Sequence, residues 1–282
     1  MTFKDLCQHP EYKNMHGLIT SPANFLLIEG TVPILSSGSL STMDDILFPS
    51  PSDGKEGFAF NETADMPWEK KHNRLYWAGL TTGALERQQR LEEVPPTAVR
   101  CPCQEYRYLM RDQDGHRRVV THLPSPIESF NVSFTEAVQC RDDLCMAQQA
   151  FFDIRPRGHP NAALKSRSVF DIDGSGISGQ FIKLLASRLA VLKTAILREW
   201  HGDRLVPWLH YMPVGLGMEE LLELVSWFTG TEQGQCVAKN VAEEGRLWAP
   251  KALREEDRAV HVYRLLLELA RIQDPDRPPM KV

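Results

Sequence analysis

Short apolar runs alternate with glycine-, proline- and serine-rich punctuation along this chain, and their lengths predict strands interleaved with helices. Leu18-Ile19, Phe25-Leu26-Leu27-Ile28 and Val32-Pro33-Ile34-Leu35 open the pattern, with a helix expected near 22–29 and a strand near 32–35. Residues 36–66 are dominated by Ser, Pro, Gly and Asp and read as loop. Leu75-Tyr76-Trp77-Ala78-Gly79 reads as a strand running into the turn Leu80-Thr81-Thr82-Gly83. Five prolines and many charges make 94–127 irregular, with one short strand expected at 105–110, and residues 128–152 follow no single period.

The second half is more regular. Val169 to Ile172 is a short apolar strand, and Gly174, Gly176 and Gly179 follow it. An amphipathic helix is expected over 177–189 and a strand over Ala190 to Leu197. Pro207 to Val214 is an aromatic, strand-favouring segment between prolines. Three helices are then expected near 218–229, 234–247 and 250–272, the last with Leu253, Val260, Tyr263, Leu266, Leu267 and Ala270 largely on one face. Strands alternating with helices define an α/β fold with a mainly parallel sheet.

Bulk properties narrow the partners. The 282 residues suffice for one large or two smaller domains, and a net charge of −5 argues against a polyanionic partner such as nucleic acid. No apolar run has the length of a bilayer span, and the first residues do not read as a signal peptide. None of the six cysteines forms a C-x-x-C pair, so no zinc framework follows; Cys140 and Cys145 could bridge a turn in an oxidising compartment or stay as thiols. Asn61-Glu62-Thr63 and Asn131-Val132-Ser133 are glycosylation sequons, two in a chain of this length being close to chance.

The glycine-rich segment carries the candidate chemistry. Glycines admit close backbone approach, and a helix start behind them offers N–H groups to a phosphate or diphosphate. Three patterns overlap there. Asp171, Asp173, Ser175 and Gly176 fit the first offsets of an EF-hand, but the twelfth residue is Ile182 where calcium needs Glu, so calcium is rejected. Gly174, Gly176 and Gly179 spell G-x-G-x-x-G, and Glu199 lies about 20 residues on, where a ribose-binding acid would sit in a dinucleotide-dependent oxidoreductase. Asp171 and Asp173 form an Asp-x-Asp pair, which fits either a metal-dependent sugar transferase or aspartates that merely cap the next helix. Ser178 suits a phosphate contact or a helix cap, His210 a structural role, and Lys193, at a strand start, a solvated position or one reaching a phosphate.

Several segments together resemble glycosyltransferase family 90, its fungal capsule-associated members most of all, and the related animal protein O-glucosyltransferases. The matching stretches are Leu75 to Gly83, Phe170 to Phe181, Arg198-Glu199-Trp200-His201, Leu205 to Val214, Met218-Glu219-Glu220-Leu221 and Glu244 to Ala249. Val32 to Ser36 and Asp44 to Pro49 look like elements from the middle of longer relatives. The resemblance implies a GT-B-like architecture with a Rossmann-like nucleotide-sugar domain and a truncated N-terminal half. Residues 1–73 would be the remnant of the acceptor side, 74–272 the UDP-sugar domain and 273–282 a tail. It implies inverting, metal-independent transfer of glucose or xylose from a UDP-sugar to a glycan or protein hydroxyl. It implies no cofactor beyond that donor substrate, and a Golgi or ER lumen or membrane setting. The donor-binding residues implied are Leu80, Thr81 and Thr82 in one turn and Ser175, Gly176, Ile177, Ser178, Gly179 and Gln180 in the other. On this reading Asp171 and Asp173 are structural, and no metal ligand is assigned.

Three departures from the family pattern matter. Gln180 stands where related sequences tend to have Arg, which could neutralise a diphosphate as Gln cannot. Leu80 replaces a usual Ser. The family's catalytic Asp lies upstream of the Val32-Pro33 element, in a segment this chain is expected to lack, so the base is unassigned although inverting transfer needs a carboxylate. A non-catalytic remnant that keeps the fold is therefore the alternative to an active transferase.

Overall fold

The computed structural model describes residues 32–51, 53, 60–80, 129–138, 154–174, 176–216, 218, 220–274 and 276, with isolated positions between 142 and 149. The helix expected at 22–29 and the strand at 105–110 lie outside the described residues. Seven strands lie among the described residues: β1 (Leu35–Ser36), β2 (Ile46–Leu47), β3 (His72–Leu80), β4 (Phe130–Glu136), β5 (Ser166–Ile172), β6 (Ala190–Thr194) and β7 (Met212–Pro213). Four described helices accompany them: α1 (Phe181–Leu185), α2 (Leu221–Gly230), α3 (Glu232–Ala252) and α4 (Glu255–Gln273). Strands β3 to β7 form one parallel sheet in the order β4-β3-β5-β6-β7, and β1 pairs with β2. The expected α/β class with a parallel sheet is what folds.

Both faces of this sheet are covered, as a parallel sheet requires. Phe170 of β5 and Leu192 of β6 point into one core with Leu75, Phe130, Met212 and the α2 residues Leu221, Val225 and Phe228. Their neighbours Val169 and Val191 point the other way, into a second core with Phe181, Leu185, Leu189, Trp200 and Leu205. Helix α3 contributes to both: Ala238, Val241 and Ala242 join the first, and Ala249 and Ala252 the second. A third, smaller cluster of Leu40, Ile196, Leu197 and Leu216 takes in Ile177 and ties the 32–51 segment to the sheet.

Several boundaries differ from expectation, each for a local reason. Helix α1 spans five residues instead of 177–189. Residues 177–180 are held as a turn, and at the far end Ser187 donates both its N–H and its hydroxyl to the Leu184 carbonyl. Strand β6 stops at Thr194, not Leu197. Asp173 Oδ2 accepts the N–H groups of Ile196 and Leu197, turning the chain so that Arg198 pairs antiparallel with Ser39. Only Met212–Pro213 of the aromatic segment is strand. Its first part is a turn in which Trp208 takes φ 65° and the buried His210 accepts from Val206 N at 3.0 Å while stacking on Trp248. Strand β1 begins at Leu35, and the described residues of 36–66 are loop apart from β1's end, β2 and a short 3-10 turn. Strand β4, in the stretch without a clear period, is held by its parallel ladder to β3. Of the three C-terminal helices only α3 runs longer than expected, starting from Thr231, which caps it through Gly234 N; α2 starts later, at Leu221, and α4 at Glu255, where Asp257 accepts from Arg254 N. Cys145 is disulfide-bonded and Cys236 is free and exposed; the other four cysteines lie outside the described residues.

Candidate functional site

The sheet topology creates one favoured place for a ligand. The chain leaves β3 toward β4 on one side and leaves β5 toward β6 on the other, so the carboxyl ends of the adjacent strands β3 and β5 diverge. Crevices for ligands form at such a switch point in open α/β sheets. Tyr76 lies opposite Val169 in the ladder, which carries Leu80 and Asp173, each four residues on, to the same edge. The glycine loop and the end of β3 thus emerge side by side.

The described part of the loop is built on inward anchors. Gly174 N donates to Gly176 O at 3.0 Å, making a tight turn. Ile177 packs into the cluster with Leu40, Ile196 and Leu197. Ser178 Oγ donates to Asp171 Oδ1 at 2.5 Å and in turn accepts a long bond from Gln180 N at 3.4 Å. Gln180 is exposed at the start of α1, and Leu80 is 42% exposed at the end of β3. Among the described residues, a Cβ built on Gly176 meets no atom within 4 Å. Of the expected donor contacts, Leu80, Gly176, Ile177, Ser178, Gly179 and Gln180 are placed on this edge. Thr81, Thr82 and Ser175 lie outside the described residues.

Beneath the loop is a buried ionic cluster that the sequence reading missed. Lys193 is neither at a solvated position nor at a strand start: it sits inside β6 opposite Asp171 of β5 and is 7% exposed. Its Nζ lies 3.0 Å from Asp171 Oδ2, 3.2 Å from Glu199 Oε1 and 4.1 Å from the centroid of the Phe181 ring. Burial alone would depress the Lys193 pKa, but the Asp171, Glu199 and Asp173 carboxylates outweigh it and hold the ammonium charged above the ordinary lysine range. Glu199 is opposed by burial in the same way, yet Lys193 and His201 pull it below the usual carboxylate range. With one oxygen on Lys193 and the other 3.2 Å from His201 Nε2, buried Glu199 is not presented as a ribose-binding acid. The signal for this cluster was in the sequence: Leu189 to Leu197 is apolar except for Lys193 and Thr194, and a lysine inside a buried strand needs carboxylates opposite it.

Among the described residues, no group of three His, Cys, Asp or Glu side chains is placed to hold a metal ion. No described helix is long and apolar enough to cross a membrane.

In open parallel α/β sheets of this kind the switch point is where ligands are held. Residues 156–279, just under half of the 282, match the family model described as Glycosyl transferase family 90. Over this segment the chain resembles the family 90 glycosyltransferases, and the match supports a glycosyltransferase by resemblance. The match contains β5, the glycine loop, the buried cluster and all four described helices.

Proposed function

We propose that the chain transfers a sugar, glucose or xylose, from a UDP-sugar to a glycan or protein hydroxyl, with inversion and without a metal. The observation that carries this reading is the place of the 173–181 loop: inside the matched segment and at the carboxyl edge of the central strand pair, where the switch point opens. The loop backbone would hold the diphosphate, and its N–H groups would stabilise the charge that grows on UDP as the glycosidic bond breaks. Gly176 supports this, since no described atom lies within 4 Å of a Cβ placed there. Residues 74–272 would be the donor half of a GT-B enzyme acting in a Golgi or ER lumen. The carboxylates of the buried cluster, Asp171, Asp173 and Glu199, are engaged with Lys193, Ser178, backbone N–H groups and His201, so none is assigned as the acceptor's base.

A second reading, donor binding without turnover, rests on two residues at the loop's rim. Exposed Gln180 brings no charge to a diphosphate, and Leu80 brings no hydroxyl. Labelled UDP-glucose and UDP-xylose separate the readings. Release of free UDP with sugar transferred or hydrolysed supports the transferase; saturable UDP binding with no product supports the second reading; absence of UDP binding overturns both.

A further inference from the structure

Ser178 is set among the expected donor contacts, yet its hydroxyl is committed to a buried carboxylate. It donates to Asp171 Oδ1, while Asp171 Oδ2 is taken by Lys193, itself braced by Glu199. Asp171, Lys193 and Glu199 are buried, at 3%, 7% and 9% exposure, so none of them reaches the loop's outer side. The chain of contacts therefore runs from β6 through β5 into the loop and stops there. Asp173 repeats the device one turn away by fixing the N–H groups of Ile196 and Leu197 behind the same loop.

We propose that Lys193, Asp171 and Ser178 are positioning residues that set the shape of the glycine loop from below, and that Ser178 acts on a bound diphosphate through this shape and not by contact. The proposal rests on the donor-binding reading above for its ligand, but the loop's shape can be measured without one. A charge-assisted hydrogen bond holds a short loop far more firmly than a neutral one, and Lys193 keeps the Asp171 carboxylate aimed at Ser178 instead of at solvent. Carboxylate oxygens that share one rigid group also make the two ends of the relay interdependent.

The test is a double-mutant cycle of Ser178→Ala and Asp171→Asn, with Ser178→Thr as the conservative rescue. The first readout is amide exchange over 174–180 in the free protein. Both single variants speed exchange there, the double variant adds nothing further, and Ser178→Thr restores protection. The second readout is calorimetric affinity for UDP. Each single variant loses about tenfold, as one charge-assisted hydrogen bond would give, and the double variant loses no more than the larger single loss. Two results overturn the relay. One is multiplicative losses of UDP affinity in the double variant, which mean independent roles. The other is loss of UDP affinity in Ser178→Ala with loop exchange unchanged, which means direct contact. If the wild type binds no UDP, the donor reading fails, and the exchange cycle still decides the relay. Should Asp171→Asn not fold, Lys193→Arg takes its place in the same cycle, because it keeps the charge but not the single-atom reach to both carboxylates.

Discussion

Replacing Lys193 with Met removes the one cation between two buried carboxylates while keeping most of the side-chain volume. The ammonium lies 3.0 Å from Asp171, 3.2 Å from Glu199 and over the ring of Phe181, so the variant leaves two buried acids without their counter-ion. Breaking one partner out of a buried ion pair costs about 3–5 kcal/mol, well beyond the apolar gain from a methionine at that site. For a domain of this size that is a fall in melting temperature of roughly 6–20 °C. Urea denaturation followed by circular dichroism, with scanning fluorimetry alongside, measures it. The pH dependence gives a second, signed check. Wild-type Glu199 has a depressed pKa, so its contribution is present above its ordinary value of 4.5 and is lost as pH falls toward about 2. Lys193 has a raised pKa, so its contribution is present below the ordinary value of 10.5 and is lost only as pH climbs past it. Between these limits the cluster is fully charged and its stabilisation is level. In Lys193→Met the buried Glu199 loses the cation that lowers its pKa and is more easily protonated, so the gap between variant and wild type narrows as pH drops from 7 to 4. Lys193→Met combined with Glu199→Gln recovers part of the loss, because both members of one pair are then neutral. A single variant within about 1 kcal/mol of wild type, or a gap that widens in acid, refutes this account of the cluster.

Three further outcomes follow from other sites. Gly245→Ala destabilises although alanine favours helix by about 1 kcal/mol, because its Cβ would lie 2.6 Å from the His210 carbonyl and 2.9 Å from Leu185, an overpacking cost of about 1–3 kcal/mol read from the urea midpoint. Gly230→Ala at the end of α2 does the reverse, raising stability by about 0.4–1 kcal/mol, since nothing lies within 4 Å of its Cβ. Leu266→Gln with Leu267→Gln on α4 leaves the melting temperature within a degree or two, as both are about half exposed, and light scattering on concentration then shows less self-association.

Much of this fold was legible because buried parallel strands announce themselves. Val169 to Ile172 and Ala190 to Thr194 are apolar runs bounded by turn residues, and both became central strands. The three C-terminal helices were equally plain from their period. Strand β4 was not: Phe130-Asn131-Val132-Ser133-Phe134 alternates well, but it lies in a stretch of mixed signals and is fixed by pairing with β3 some 55 residues earlier, which no local window contains. The helix expected over 177–189 is longer than α1, since Ile177 packs beneath a turn and into a different cluster from Ile182. At the site, the sequence located the loop and its neighbour from β3, and the sheet register brought them to one edge. It did not reveal that Ser178, Lys193 and Glu199 face inward, because a period says which face a residue takes and not which charges meet across two strands. Asp171 and Lys193, single opposite charges inside two apolar runs, were nonetheless a readable pair.

The central claim is that a diphosphate rests against the loop at Gly176. Calorimetric titration of UDP into the wild type and into Gly176→Leu tests it most directly, because no described atom lies within 4 Å of a Cβ at that position and a leucine there would compete for the ligand's place. The account predicts saturable UDP binding by the wild type and at least a tenfold weakening in Gly176→Leu, with melting temperatures alike. Equal affinity in the two proteins, or no heat of binding in either, would contradict it.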